Sequence, residues 1–172
     1  GQGTLTIENS ELFHNGLGNG CSDGNGCTHN VYAGNWGKLV FQYNYSHGIA
    51  QDGHLVKSRA YESDILYNRI TGEDGGDSFE ADLPNGGLAI VVGNEIEKGT
   101  KANNQLVINY GEEGLANPDK RLFVVGNTMV NDLGKGTFIN VAAGGTLTAH
   151  DNLLVGAGTP ASTGALSADN IV

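Results

Sequence analysis

Long hydrophobic runs, positive charge, proline and cysteine are all scarce in this chain. No apolar stretch is long enough to cross a bilayer, so no membrane span is expected. Lys and Arg number 9 against 19 Asp and Glu, a net charge of -10, which is the wrong sign for a non-specific nucleic-acid binder. An acidic surface suits a soluble extracellular protein and can recruit Ca²⁺. Charged residues make up only 16% of the chain, too few for a disordered acidic tail. Helical periodicity is absent, because Gly, Asn and Asp interrupt the sequence too often. Pro is only 3, and no G-X-Y period accompanies the 28 Gly, which excludes a collagen-like chain. The two cysteines, Cys21 and Cys27, flank SDGNG. They read either as a disulfide in an oxidising compartment or as two free thiols in a loop.

What is present is a repeat. An Asn with apolar flanks recurs at Asn9, Asn44, Asn68, Asn94, Asn127 and Asn152, and again at Asn170, with a basic step of about 25 residues. A second series of strand-like segments lies between them: HNVYAG, HLVKSRA, DSFEADLP, NQLVINYG and TFINVAAG. That step is too short for a βαβ unit and suits one turn of a solenoid. The expected fold is a single all-β domain over 1–172, a right-handed parallel β-helix trimmed at one or both ends. Loop insertions fall near 13–28, 71–77, 111–121 and 156–164. A stacked Asn amide donates to one neighbouring coil and accepts from the other, so a column of buried amides satisfies itself. Exposed coil ends are sheet edges, and end-to-end self-association is a further expectation.

The candidate chemistry lies in the second series. Aligning Val31, Val56 and Phe79 as core positions sends Tyr32, Lys57 and Glu80 to the outer face. Arg59 and Asp82 follow on the same face, with Ile108 and Tyr110 continuing the columns. Rungs of a parallel sheet are under ~5 Å apart. Lys57 and Arg59 would then face Glu80 and Asp82, either as a reaction centre or as a cross-strand charge ladder.

Segments THNVYAG, GHLVKSRA, FEADLPNGG and NYGEEG, in that order, resemble bacterial secreted parallel β-helix repeat proteins of the pectate lyase-like superfamily, over most of the chain. The resemblance implies the fold and an extracellular or periplasmic, carbohydrate-directed context, with polysaccharide as partner. It implies no defined substrate.

Within that context the charged set matches what β-elimination of a uronan needs: a cation at the carboxylate, a base for the C5 proton and an acid for the leaving oxygen. Lys57 would be the base and Arg59 the clamp. Glu80 and Asp82 would hold Ca²⁺, helped by the carboxylates of TGEDGGD. Tyr32 or Tyr110 would donate a proton or contact sugar, and Trp36 and Tyr61 would line the substrate. Two other readings stay open. One is a non-catalytic carbohydrate-binding or cell-surface β-helix. The other is a glycoside hydrolase using Glu80 and Asp82, though both carboxylates would be held ionised by the cations beside them. His29 and His54 begin successive rungs and read as structural. Together with His14 and His47 they are the alternative candidates for a transition-metal site, although the spacing matches no known zinc pattern.

Overall fold

Short β-branched runs between Gly, Asn and Asp can reach stability only by stacking, because no single coil buries its own apolar face. The computed structural model describes residues 2–16, 28–50, 52–163 and 166–172. Strands are numbered in chain order. The first sheet holds β1 (Thr4–Glu8), β4 (Lys38–Gln42), β7 (Glu62–Leu66), β10 (Leu88–Val92), β13 (Arg121–Val125) and β16 (Thr146–His150). The second holds β2 (Glu11–Phe13), β5 (Tyr45–His47), β8 (Arg69–Thr71), β11 (Glu95–Lys98), β14 (Thr128–Asn131) and β17 (Leu153–Gly156). The third holds β3 (Tyr32–Ala33), β6 (His54–Ser58), β9 (Phe79–Leu83), β12 (Leu106–Tyr110), β15 (Thr137–Val141) and β18 (Thr159–Ala161).

Each strand pairs in parallel with the strand three places on, so every coil gives one strand to each sheet. The fold is a right-handed parallel β-helix. The sequence shows two strand series per coil and the structure has three, because the second-sheet strands are only three or four residues long. The span 156–164, expected as a turn, contains β18, which pairs with β15.

Side chains alternate on the first sheet, where β4, β7, β10 and β13 bury their second and fourth residues. Ile7, Phe41, Ile65, Val91, Val124 and Ala149 form one such inward column. Each fully buried member of that size contributes roughly 1.5–3 kcal/mol.

The corner between the first and second sheets is built by a residue pair. Tyr43, Tyr67, Gly93, Gly126 and Asp151 adopt the left-handed conformation, with φ of 56, 54, 68, 64 and 59°. The residue after each is a buried Asn: Asn44, Asn68, Asn94, Asn127 and Asn152. Each Nδ2 donates to Oδ1 of the Asn on the next coil, at 3.2, 2.9, 2.9, 3.0 and 2.8 Å along the row, which ends on Asn170. The same Nδ2 groups donate to backbone carbonyls of the preceding coil at 2.8–2.9 Å, so the amides are satisfied without water. Asn9 is not a member of the row. It occupies the left-handed position at φ 51°. Ser10 takes the next place, its backbone N–H donating to Asn44 Oδ1 at 3.0 Å.

The third sheet departs from alternation. All five residues of β6 and of β9 are buried, so these strands are covered on both faces. The outer cover is the loop from Gly111 to Lys120. Its backbone is tied to the β9 end at Leu83, Pro84 and Asn85, and Asn117 Nδ2 donates to the carbonyls of Ala60 and Gly86 at 2.8 and 3.0 Å. Gly111, at φ 82°, lets the chain turn there, and a Cβ on it would fall 2.4 Å from Leu115.

Candidate functional site

The register of the third sheet decides which charged groups meet. Lys57 pairs with Tyr32 on one side and Asp82 on the other, and Val56 pairs with Ala81. Phe79 pairs with His54. The alignment of Val56 with Phe79 is therefore two residues out. The signal that could have found it is the aromatic column His29, His54, Phe79, which keeps a constant step of 25 residues. Stacking explains that column: the rings lie parallel, with centroids 4.7 and 4.8 Å apart. Each His Nδ1 accepts the backbone N–H of the next rung, His29 from His54 at 3.1 Å and His54 from Phe79 at 3.3 Å. The two imidazoles are therefore structural acceptors with their protons on Nε2.

On the outer wall Lys57 Nζ lies 3.0 Å from Asp82 Oδ2 and 3.5 Å from Glu113 Oε1. Arg59 Nη2 lies 2.6 Å from Glu113 Oε2, its Nε donates to the Tyr32 hydroxyl at 2.9 Å, and its Nη1 donates to Asn85 Oδ1 at 2.5 Å. Asp82 also accepts from Asn109 at 2.9 Å, and its other oxygen lies 3.3 Å from His54 Nε2. Asn140 extends the row by donating to Asn109 at 2.9 Å. Lys57, Arg59, Tyr32 and Asp82 thus come together, with Glu113 as the member that sequence reasoning missed. Glu113 sits in a loop whose docking on β9 no local pattern announces.

Two expected members lie elsewhere. Tyr110 is fully buried and its hydroxyl donates to the Gly87 carbonyl at 2.6 Å, so it packs in the core. Burial, reinforced by the Asp119 charge, pushes its hydroxyl up to about 12. Glu80 has no exposed surface and does not meet Lys57. Both of its oxygens hold Lys98 Nζ, at 2.9 and 3.0 Å. Asp77 of the TGEDGGD turn joins from the other side at 3.1 Å. These carboxylates do not fit a Ca²⁺ ligand set, because the space between them is filled by an internal ammonium. Glu80 and Asp82 also serve different partners. Lys98 was legible in principle: it lies two residues after the core residue Ile96, on the inward phase of β11. No group of three or more His, Cys, Asp or Glu among the described residues is placed to hold a metal ion. His47 lies instead between Glu11 and Glu73, 3.2 Å from each. Cys21 and Cys27 lie outside the described residues.

The electrostatics follow from burial. Desolvation, then the charges of Lys57 and Arg59, lower His29 to about 4, and desolvation with Lys57 foremost among the nearby charges lowers His54 to about 2. Burial raises Asp82 against the pull of Lys57. Burial also acts to raise Glu113, but the hydrogen bond and charge of Arg59, with Lys57, outweigh it and hold the group below the usual range. A His whose folded value is depressed binds its proton first in the unfolded chain. Its stabilising contribution is complete above pH 6.5 and is lost as pH falls toward the folded value. We expect the chain to lose about 3 kcal/mol from His54 between pH 7 and pH 4, with a smaller, solvent-screened loss from the less buried His29 and with Asp82 opposing part of the total. Urea melts of wild type and His54→Gln at both pH values check this. An equal pH slope in the two proteins would remove His54 as the cause.

Beside this wall three aromatic side chains stand in solvent: Tyr32 at 54%, Trp36 at 39% and Tyr61 at 46% exposure. Trp36 and Tyr61 occupy adjacent rungs, the Tyr61 N–H donating to the Trp36 carbonyl at 3.1 Å. Arg59 reaches Tyr32 from the strand that leads into Tyr61. No helix among the described residues is long and apolar enough to cross a membrane. No family model, curated protein or solved structure matches the chain, so the fold and the wall of the third sheet stand on their own geometry.

Proposed function

We propose that this β-helix is a secreted, polysaccharide-directed protein that binds its ligand along the edge of the third sheet, with Tyr32, Trp36, Tyr61 and Arg59 as the contact strip. The observation that carries the reading is that three exposed aromatic residues, Tyr32, Trp36 and Tyr61, fall on neighbouring rungs at one edge of the third sheet, with the Arg59 guanidinium against Tyr32. Aromatic faces cover the apolar faces of sugar rings, and rigid rings lose little entropy on binding. The rung spacing of a parallel sheet, under ~5 Å, is close to the length of one pyranose unit, so successive coils can contact successive sugars. The resemblance to secreted repeat proteins of the pectate lyase-like superfamily points the same way.

Binding is favoured over cleavage because the cations are already compensated. Lys57 is ion-paired to Asp82 and Arg59 to Glu113, and Glu113 sits on a loop anchored to β9. A general base needs a lone pair facing the substrate, and a carboxylate clamp needs an unpaired cation. One observation favours the second reading, a uronan lyase: the exposed Tyr32 hydroxyl accepts from Arg59, an arrangement suited to proton transfer beside a bound carboxylate.

Affinity electrophoresis against alginate, pectate and glucuronan, with a neutral glucan as control, separates these. Trp36→Ala combined with Tyr61→Ala should weaken retention about tenfold or more, equivalent to ~1.4 kcal/mol, and leave the melting temperature nearly unchanged. Retention by every polymer unaffected by the double substitution would sink the binding strip. A rise in near-ultraviolet absorbance on any uronan, lost in Tyr32→Phe, would establish the lyase reading instead.

A further inference from the structure

We propose that Lys98 and Asp77 are joined, after folding, by an intramolecular amide bond between Lys98 Nζ and Asp77 Cγ, formed with Glu80 as the proton carrier. This is a covalent modification of the buried corner between the second and third sheets, and it is independent of the polysaccharide reading.

The three side chains have no exposed surface. Lys98 Nζ lies 3.1 Å from Asp77 Oδ2 and within 3.0 Å of both Glu80 oxygens, and it donates to the Ser78 carbonyl at 2.7 Å. The other Asp77 oxygen, Oδ1, is buried and makes no hydrogen bond. One ammonium between two carboxylates also leaves a net negative charge in a dry corner, which is costly unless a proton stays in the cluster. Burial pushes the Glu80 carboxyl well above its usual range, against the pull of the Lys98 charge. Glu80 is therefore the carboxylate suited to take a proton from Lys98 and hold it.

The step balances without another reactant. The Lys98 ammonium gives one proton to Glu80, and the freed nitrogen lone pair attacks Asp77 Cγ. The N–C bond forms, and the attacking nitrogen passes a second proton to one Asp77 oxygen. Glu80 returns its proton to that same oxygen, the C–O bond breaks and one water leaves. The nitrogen keeps the single N–H of an amide, and Glu80 ends as it began, a carboxylate. Nothing is oxidised or reduced. Burial favours the neutral amide over the buried ions, and exclusion of water slows the reverse reaction.

The test is the intact mass of the full-length wild-type chain, denatured. We expect a mass lower than the sequence value by one water. Trypsin should then fail to cut after Lys98, so that peptide 70–101 carries the loss. Cleavage after Phe79 separates Asp77 from Glu80, and the fragment ending at Phe79 should stay attached to the one containing Lys98. The unmodified sequence mass overturns the proposal. So does a water loss mapped to an Asp–Gly succinimide at Asp23, Asp52 or Asp74, or to Glu80. Where the variants fold, Lys98→Arg should show the sequence mass, because a guanidinium is a poor nucleophile. Glu80→Gln should show a largely unlinked chain, and complete linkage in it would overturn the role given to Glu80.

Discussion

Replacing Asn94 with alanine is expected to destabilise the protein by roughly 3–5 kcal/mol, measured as a drop in the urea midpoint at unchanged m-value. The Asn94 amide donates to Asn127 Oδ1 and to the Ile65 carbonyl, at 2.9 Å each. Its Oδ1 accepts the backbone N–H and the Nδ2 of Asn68, at 2.8 and 2.9 Å. Deletion orphans buried donors above and a buried acceptor below, and each such group costs about 1–3 kcal/mol. Asn9→Ala is the internal control. Asn9 is exposed and contributes only its tolerance of φ 51°, so about 1 kcal/mol is expected. Equal losses at the two positions would mean that the buried row carries no special energy.

Lys98→Met should cost roughly 3–5 kcal/mol. Removal of the ammonium leaves Asp77 and Glu80 facing each other with no exposed surface. The triple variant Lys98→Met, Glu80→Leu, Asp77→Asn should recover most of the loss, because replacing a whole buried ionic group by apolar volume is often neutral. Thermal melts of the single and triple variants read this out. A single variant as stable as wild type would show that the corner relaxes and admits water. In the linked protein the same substitution also removes the amide cross-link, so the loss is at least as large.

Chain-local chemistry was legible. The repeating Asn with apolar flanks, the absence of any helical period and the short β-branched runs point to a parallel solenoid, because each follows from one coil's own sequence and its step to the next. The exception at Asn9 is instructive. The corner needs two residues, one tolerant of positive φ and one with an inward polar group, and Asn serves either. Only the bond to Asn44 shows that Ser10 holds the second place.

What the sequence by itself determined is the coil: its length, two of its three strand series, its corner chemistry, and hence the stack. What only the tertiary structure decided is which charges meet. A two-residue slip in the third sheet keeps every side chain on its face, so alternation cannot detect it, yet it moves Lys57 from Glu80 to Asp82. Glu113 and Lys98 reach their partners from 56 and 18 residues away along the chain, through a folded-back loop and across a corner. Such contacts depend on how separate segments fit together in space, and no local pattern of residues encodes that.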